Sequence, residues 1–256
     1  NLLAVAMLGI GFVQFAGYLV LPWLVVLAVE YAAFRWYFAG DLRLAAPSIE
    51  PDDPPGRPPW FTVAVLAATL AGFVVASAAG VDPAWVAAGG AVVLAVRALL
   101  RREAGPVALL RAANLPFLGF VLSLGVVVAA VVDNGLAEAM RAIVPAGTGL
   151  LDLLGWAGLA ALLANLVNNL PAALVLLPLA AASGTPAALA VLIGVNVGPN
   201  LTYVGSLATL LWRRIVRAHD HDAPLGEFTA LGLLATPVAI LAATTALWLV
   251  TSLMGA

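Results

Sequence analysis

Two polar clusters interrupt an otherwise apolar run: Asn165-Leu166-Val167-Asn168-Asn169-Leu170-Pro171, and the longer stretch from Asn196 through Gly198, Pro199, Asn200, Leu201, Thr202, Tyr203, Gly205 and Ser206 to Thr209. Around them, the sixty residues from Leu153 to Trp212 contain no Asp, Glu, Lys, Arg or His. Amides and hydroxyls both donate and accept hydrogen bonds, so Asn168, Asn169, Asn200, Thr202 and Ser206 suit a neutral polyhydroxyl solute. A small cation fits the same set, because amide and hydroxyl oxygens and opened backbone carbonyls are hard oxygen ligands. The set does not suit catalysis, since the stretch offers no His, Cys, Asp or Glu as nucleophile, acid or base. The plainer reading is that Pro171 and Pro199 kink two helices whose breaks the asparagines cap. Capping accounts for one asparagine at a break, whereas three surround the first.

The elements that must position these residues are membrane helices. The chain is 64% hydrophobic and 9% charged, with mean hydropathy +1.09, against about a quarter charged in soluble domains. The expectation is an all-α polytopic integral membrane protein of the cell membrane. Non-helical backbone at bilayer depth is tolerated only where protein or a water-filled cavity satisfies its N–H and C=O groups. Two Gly/Pro-interrupted apolar segments are therefore the sequence mark of a transporter site. Substrate or ion binding is expected at Asn168, Asn169, Pro171, Asn196, Gly198, Pro199, Asn200, Thr202, Gly205, Ser206 and Thr209. With no cysteine and only His219 and His221, no metal site or disulfide is expected, and the His-Asp-His-Asp run 219–222 reads as a solvated loop. No basic patch points to nucleic acid.

Along the chain, residues 1–40 read as a helix end, a break and one span, closed by Glu30, Arg35 and an aromatic belt at Phe34, Trp36, Tyr37 and Phe38. Residues 41–59, with six prolines among charges, form an extramembrane loop. Residues 60–256 then read as a transport unit. Its spans are 60–81, 84–100 and 115–132, followed by an interfacial helix over 136–149, a hairpin over 150–183, a broken helix over 186–212 and a last span over 228–253. Polar loops are expected at Arg101–Arg111 and Arg213–Glu227. Threading with the 41–59 loop cytoplasmic leaves ten arginines inside and only Arg141 outside, as the positive-inside rule requires. The stretch between Val132 and Trp212 then makes an odd number of crossings. A re-entrant hairpin with its tip at 168–171, followed by a helix opened at 198–200, satisfies this and brings both clusters to one depth. Helix N-termini after Pro171 and Asn200 would turn positive dipole ends on the site. Asp133 and Asp152 flank the outer mouth as helix-end carboxylates or proton relays.

Asn168-Asn169-Leu170-Pro171, the string Asn196-Val197-Gly198-Pro199-Asn200-Leu201-Thr202, and above all Gly205-Ser206-Leu207-Ala208-Thr209-Leu210-Leu211-Trp212 resemble the arsenite permease (ArsB) family. Asn200 stands where that family's pattern has a lysine. The family belongs to an ion-transporter superfamily that also holds NhaD-type sodium/proton antiporters and citrate and divalent-anion/sodium symporters. The resemblance implies two inverted repeats, each with a re-entrant hairpin and a broken helix, and a homodimer. It implies that this chain is the C-terminal half of a permease, one repeat lacking its N-terminal partner half.

The function expected is secondary transport without a cofactor, with arsenite or a similar metalloid oxyacid as substrate and H+ or Na+ as coupling ion. Sodium/proton exchange or carriage of a small carboxylate is the alternative within the superfamily, and a structural membrane subunit the alternative outside transport. The threading is open to test by cysteine scanning on this cysteine-free background. A thiol at Asn169 should be labelled from outside, and one at Ser183 should lie outside. Exclusively cytoplasmic labelling at either position would reverse the threading.

Overall fold

The computed structural model describes residues 2–43, 59–131, 134–135, 143–203, 205–218 and 224–255. Among these residues the regular structure is helical, with no strand. Five helices are long and apolar enough to cross a bilayer: Phe12–Tyr37, Trp60–Ala78, Pro83–Leu100, Leu150–Val167 and Leu225–Met254. Their outward faces carry large apolar side chains such as Leu66, Leu70, Val75, Val92 and Leu241, too much exposed apolar surface for water. The protein is an all-α polytopic integral membrane protein.

The chain parts into two compact units, one holding residues 2–15 and 44–123 and the other residues 16–43 and 124–256. In the first, α1 (Leu2–Leu8) ends at Gly9, whose φ of +63° suits glycine, and α2 (Phe12–Tyr37) begins three residues later. Phe12 is secured there by a hydrogen bond from its N–H to Ser77 Oγ at 2.7 Å, and its ring lies 5.4 Å from that of Phe73. α3 (Trp60–Ala78) and α4 (Pro83–Leu100) pair as a hairpin. Asp82 caps α4 by accepting from Ala84 N–H at 2.8 Å, with Pro83 in the first turn, where a proline costs no bond. Gly72 lies against Val86 and Gly90 against Thr69, so the two helices meet through small residues.

The second unit is built on α7 (Leu150–Val167), α8 (Asn169–Ser183) and α9 (Thr185–Val197), packed against one another. Every residue of α9 from Pro186 to Val195 is buried, which explains why its sequence is apolar on all sides. α8 and α9 are joined through Gly184 alone, at φ +125° and ψ 164°, a backbone region that is essentially glycine's own. α9 meets α7 through Gly194 and Gly198, four residues apart, against Ala157, Ala160 and Ala161. A Cβ at Gly198 would stand 2.5 Å from Ala161 Cα, and one at Gly194 would strike the Ala157 carbonyl. Lipid tails are as apolar as leucine, so helices in a bilayer associate by such close van der Waals packing rather than by hydrophobic exclusion. A 3₁₀ turn (Gly198–Leu201), α10 (Leu207–Ala218) and α11 (Leu225–Met254) follow. α11 lays Gly232, Ala235, Thr236, Ala239, Ala243, Thr244, Leu247 and Thr251 inward, a helical stripe of small residues facing α7, α9 and the 3₁₀ turn.

Several boundaries differ from the sequence reading. The supposed loop at 101–111 contains a short helix, α5 (Pro106–Ala112), before α6 (Leu115–Val131). Pro106 starts it, as prolines start helices. Of the interfacial helix expected over 136–149, residues 136–142 lie outside the described set and 143–149 are irregular, as Pro145, Gly147 and Gly149 require. The second half of the broken helix does not stop at Trp212. It starts at Leu207 and continues through Arg213, Arg214 and Arg217 to Ala218, an amphipathic helix instead of an apolar half-span. Residues 44–58 and 219–223, where the sequence reading expected loops, and Asp133 lie outside the described residues.

Replacing Gly194 by valine forces a side chain into the α7 backbone and should destabilise the protein by about 1–3 kcal/mol, the range for overpacking. The readout is the thermal midpoint of detergent-solubilised protein. A midpoint equal to that of wild type would mean that the two helices are free to separate there.

Candidate functional site

Both polar clusters fold as helix breaks in the second unit. The first is a single residue: Asn168 lies between α7 and α8 at φ +83° and ψ 155°, a conformation costing a non-glycine residue about 1–3 kcal/mol. Asn168 O accepts the opening bond of α8, from Ala172 N–H at 3.2 Å. Pro171 sits in the first turn of α8, where its missing N–H would have had no helical partner. The second break is longer, running through the 3₁₀ turn and then residues 202, 203, 205 and 206. Thr202 N–H reaches Pro199 O, and Gly205 N–H reaches Thr202 O, each at 3.3 Å.

The two breaks are hydrogen-bonded to each other. Asn169 N–H donates to Gly205 O at 3.1 Å. One turn before the first break, Asn165 donates through Nδ2 to Ala161 O at 2.9 Å and to Gly198 O at 2.8 Å, and accepts from Thr202 Oγ1 on Oδ1 at 2.7 Å. Gly205 must be glycine for this closure, since a Cβ there would lie 2.7 Å from Pro199 Cα and 2.8 Å from Asn165 Oδ1. Asn165, Asn169, Gly198, Pro199, Thr202 and Gly205 thus form one network.

The other residues expected at the site are placed differently. Ser206 caps α10, its Oγ accepting from Thr209 N–H at 3.1 Å and lying 3.0 Å from Thr209 Oγ1. The helix N-terminus expected directly after Asn200 therefore falls at Leu207, and the one expected after Pro171 falls at Asn169. Asn196 turns its amide back on Leu192 O of its own helix at 2.8 Å and is exposed. Asp152 stands in the first turn of α7 beside Gly147 and Gly149, a favourable place for a carboxylate on the helix dipole.

Asn200 and Thr209 line a cavity of about 710 Å³ together with Glu30 and Phe34 of α2, Phe38 just after it, Trp212 of α10, and Glu227, Phe228, Gly232 and Thr236 of α11. Sequence reasoning left Glu30 in an interfacial belt and Glu227 in a loop, so it missed the two carboxylates that the fold brings to an otherwise uncharged break. Asn200 Nδ2 lies 3.3 Å from Glu30 Oε1. Beside the cavity, Tyr203 is 4% exposed and stacks on Phe228 with ring centroids 4.2 Å apart. The Arg213 guanidinium lies 4.3 Å from the Tyr203 ring centroid, a cation–π contact. The α2 carboxylate had no distinguishing sequence signal. Asn165 had one, its spacing of a single helical turn from Asn168.

Truncating Asn165 to leucine should leave Gly198 O and Thr202 Oγ1 without their partner. The cost is about 2 kcal/mol or more, at about 1–3 kcal/mol for each orphaned group. Asn165→Asp keeps the acceptor but turns an oxygen on the Ala161 and Gly198 carbonyls in place of the donor, so it should be destabilised as well. Equal thermal midpoints in detergent for all three proteins would show that the network does not hold the breaks together.

The arsenical pump membrane protein family matches residues 1–250. The arsenical pump membrane proteins of Escherichia coli K12 and Shigella flexneri are each 28% identical over 253 residues, and that of Yersinia enterocolitica is 27% identical over 254. Each alignment covers 92% of this chain and 58% of the relative, so the chain spans little more than half the length of these relatives. No solved structure matches. The chain, with its two bonded helix breaks, belongs to the arsenical pump membrane protein family.

Proposed function

We propose that the protein is a secondary transporter that moves arsenite, or a similar neutral metalloid oxyacid, out of the cell, with the bonded breaks as its substrate region. The observation that carries this reading is the joining of two helix interruptions from one family-matched chain, Asn169 to Gly205 and Asn165 to Gly198 and Thr202. Opened helices expose carbonyls and N–H groups toward a solute. Arsenite near neutral pH is mostly an undissociated trihydroxy acid, which exchanges hydrogen bonds with amides and hydroxyls without the cost of a charge at bilayer depth. Transport rather than enzymatic turnover is the reading that the names of the relatives support. The hairpin over 150–183 is read as re-entrant, since α8, at 15 residues or about 22 Å, falls short of about 30 Å of hydrocarbon.

Glu30 and Glu227 on the cavity wall argue against an anionic carboxylate as substrate, because like charges repel. Sodium/proton exchange is the second reading, favoured by the Glu30 carboxylate beside the Asn200 amide.

A backbone-neutral substitution separates a binding amide from a merely structural one. Glycine suits the backbone of Asn168 better than asparagine, so Asn168→Gly should fold at least as stably. Under the proposed reading it should still lower arsenite resistance and flux of the full-length permease about tenfold or more, in cells lacking other arsenite export. Undiminished resistance at wild-type protein levels would reduce Asn168 to a helix break.

A further inference from the structure

We infer that Glu30 is the coupling group of this transporter: its carboxylate, paired with the Asn200 amide at the wall of the cavity, is where a small monovalent cation is bound and released. This rests on the transport reading above and adds to it the residue that carries the driving ion. Four observations support the assignment. Glu30 reaches the second break across 170 positions of sequence, its Oε1 lying 3.3 Å from Asn200 Nδ2. It belongs to a long apolar helix, preceded by 29 residues without a charge, and is the one carboxylate of α2. The same cavity holds Thr209 and Thr236, and Thr236 is fully buried with its hydroxyl lacking a partner among the described residues. A buried hydroxyl left unbonded is costly and is a ready oxygen ligand once an ion or its water enters. Finally, Asn200 belongs to the break that is bonded to the first through Asn165, so the ion site and the substrate region share one piece of backbone.

The charged groups around Glu30 define its setting. Glu227 of α11 lines the same cavity, and a second carboxylate raises the affinity of the cavity for a cation. Arg213 of α10 stands behind the Tyr203–Phe228 stack, its guanidinium engaged on Tyr203 and its Nε buried without a hydrogen-bond partner. On α2 itself Tyr31 and Arg35 follow, both exposed. In the coupled cycle the carboxylate takes up one cation from the outer side and releases it to the cytoplasm as one neutral substrate leaves. The step involves no covalent change. With H+ the carboxyl is neutralised by O–H formation, and with Na+ by ligation to the carboxylate oxygens.

The test uses the full-length permease in everted membrane vesicles, with three measurements on each variant: arsenite accumulation driven by a pH gradient, accumulation driven by a sodium gradient, and arsenite exchange at equilibrium with no gradient. Glutamine at position 30 still accepts the bond from Asn200, so a merely positioning carboxylate is rescued by Glu30→Gln and an ion-carrying one is not. The expected result is a loss of about tenfold or more in whichever gradient drives the wild type, with exchange kept within about twofold and Glu30→Asp partly active. Which gradient drives the wild type decides between H+ and Na+. Gradient-driven accumulation by Glu30→Gln at the wild-type level overturns the assignment, as does a loss that Glu227→Gln causes and Glu30→Gln does not. Loss of exchange together with driven flux in Glu30→Gln, at normal protein levels, also overturns it, because Glu30 would then act on the substrate. A wild-type permease that moves arsenite under no condition refutes the transport reading itself, and this proposal falls with it.

Discussion

The second unit depends on one requirement: a backbone opened between packed helices must find its hydrogen bonds within the protein. The side chain of Asn165 meets most of it. A primary amide has two donors and an acceptor that lie in one plane, and here they reach the Ala161 carbonyl of the same helix, the carbonyl at the start of the 3₁₀ turn and the hydroxyl that follows it. Serine or threonine has one donor, and aspartate has none when ionised, so neither replaces it. The single backbone bond from Asn169 to Gly205 then closes what the side chain has brought together.

Close approach comes before bonding. The amide of Asn165 spans the gap only because Gly194 and Gly198 let α9 sink onto the alanines of α7, and because Gly232 lets α11 come against the Asn200 carbonyl. The asparagines and the glycines therefore belong to one design, the first supplying bonds and the second the distance at which those bonds form. Van der Waals contact between small residues is the main attraction open to helices already surrounded by lipid. It explains why alanine, glycine and threonine stand at the points of closest helix approach, while fully buried Trp156, Leu153, Leu176, Leu189 and Leu247 fill the space between them.

Much of this was legible in the residues. Apolar length gave the spans, and the Asn/Gly/Pro clusters marked both breaks, because few residues other than Asn or Gly sit at a positive φ and Pro171 suits the start of a helix. What remained hidden depended on tertiary neighbours. The sequence does not say that Ser206 and Thr209 bond to each other as a cap, or that α10 carries its arginines on a continuing helix. Nor does it show that Glu30, 170 positions away, comes to the Asn200 amide. Hydropathy places a carboxylate at the end of a span, but only packing decides whether it faces headgroups or a cavity.

Pro237 gives α11 an uneven mechanical character. The helix runs unbroken from Leu225 to Met254, yet the proline has no N–H to close on the Leu233 carbonyl, and its ring crowds that turn. The missing rung falls just beyond Gly232, Ala235 and Thr236, which wall the cavity, and before Ala239, Ala243 and Leu247, which are fully buried. One helix thus carries both the cavity wall and the buried anchor, and the turn between them is the one place along it where a bend breaks one hydrogen bond fewer.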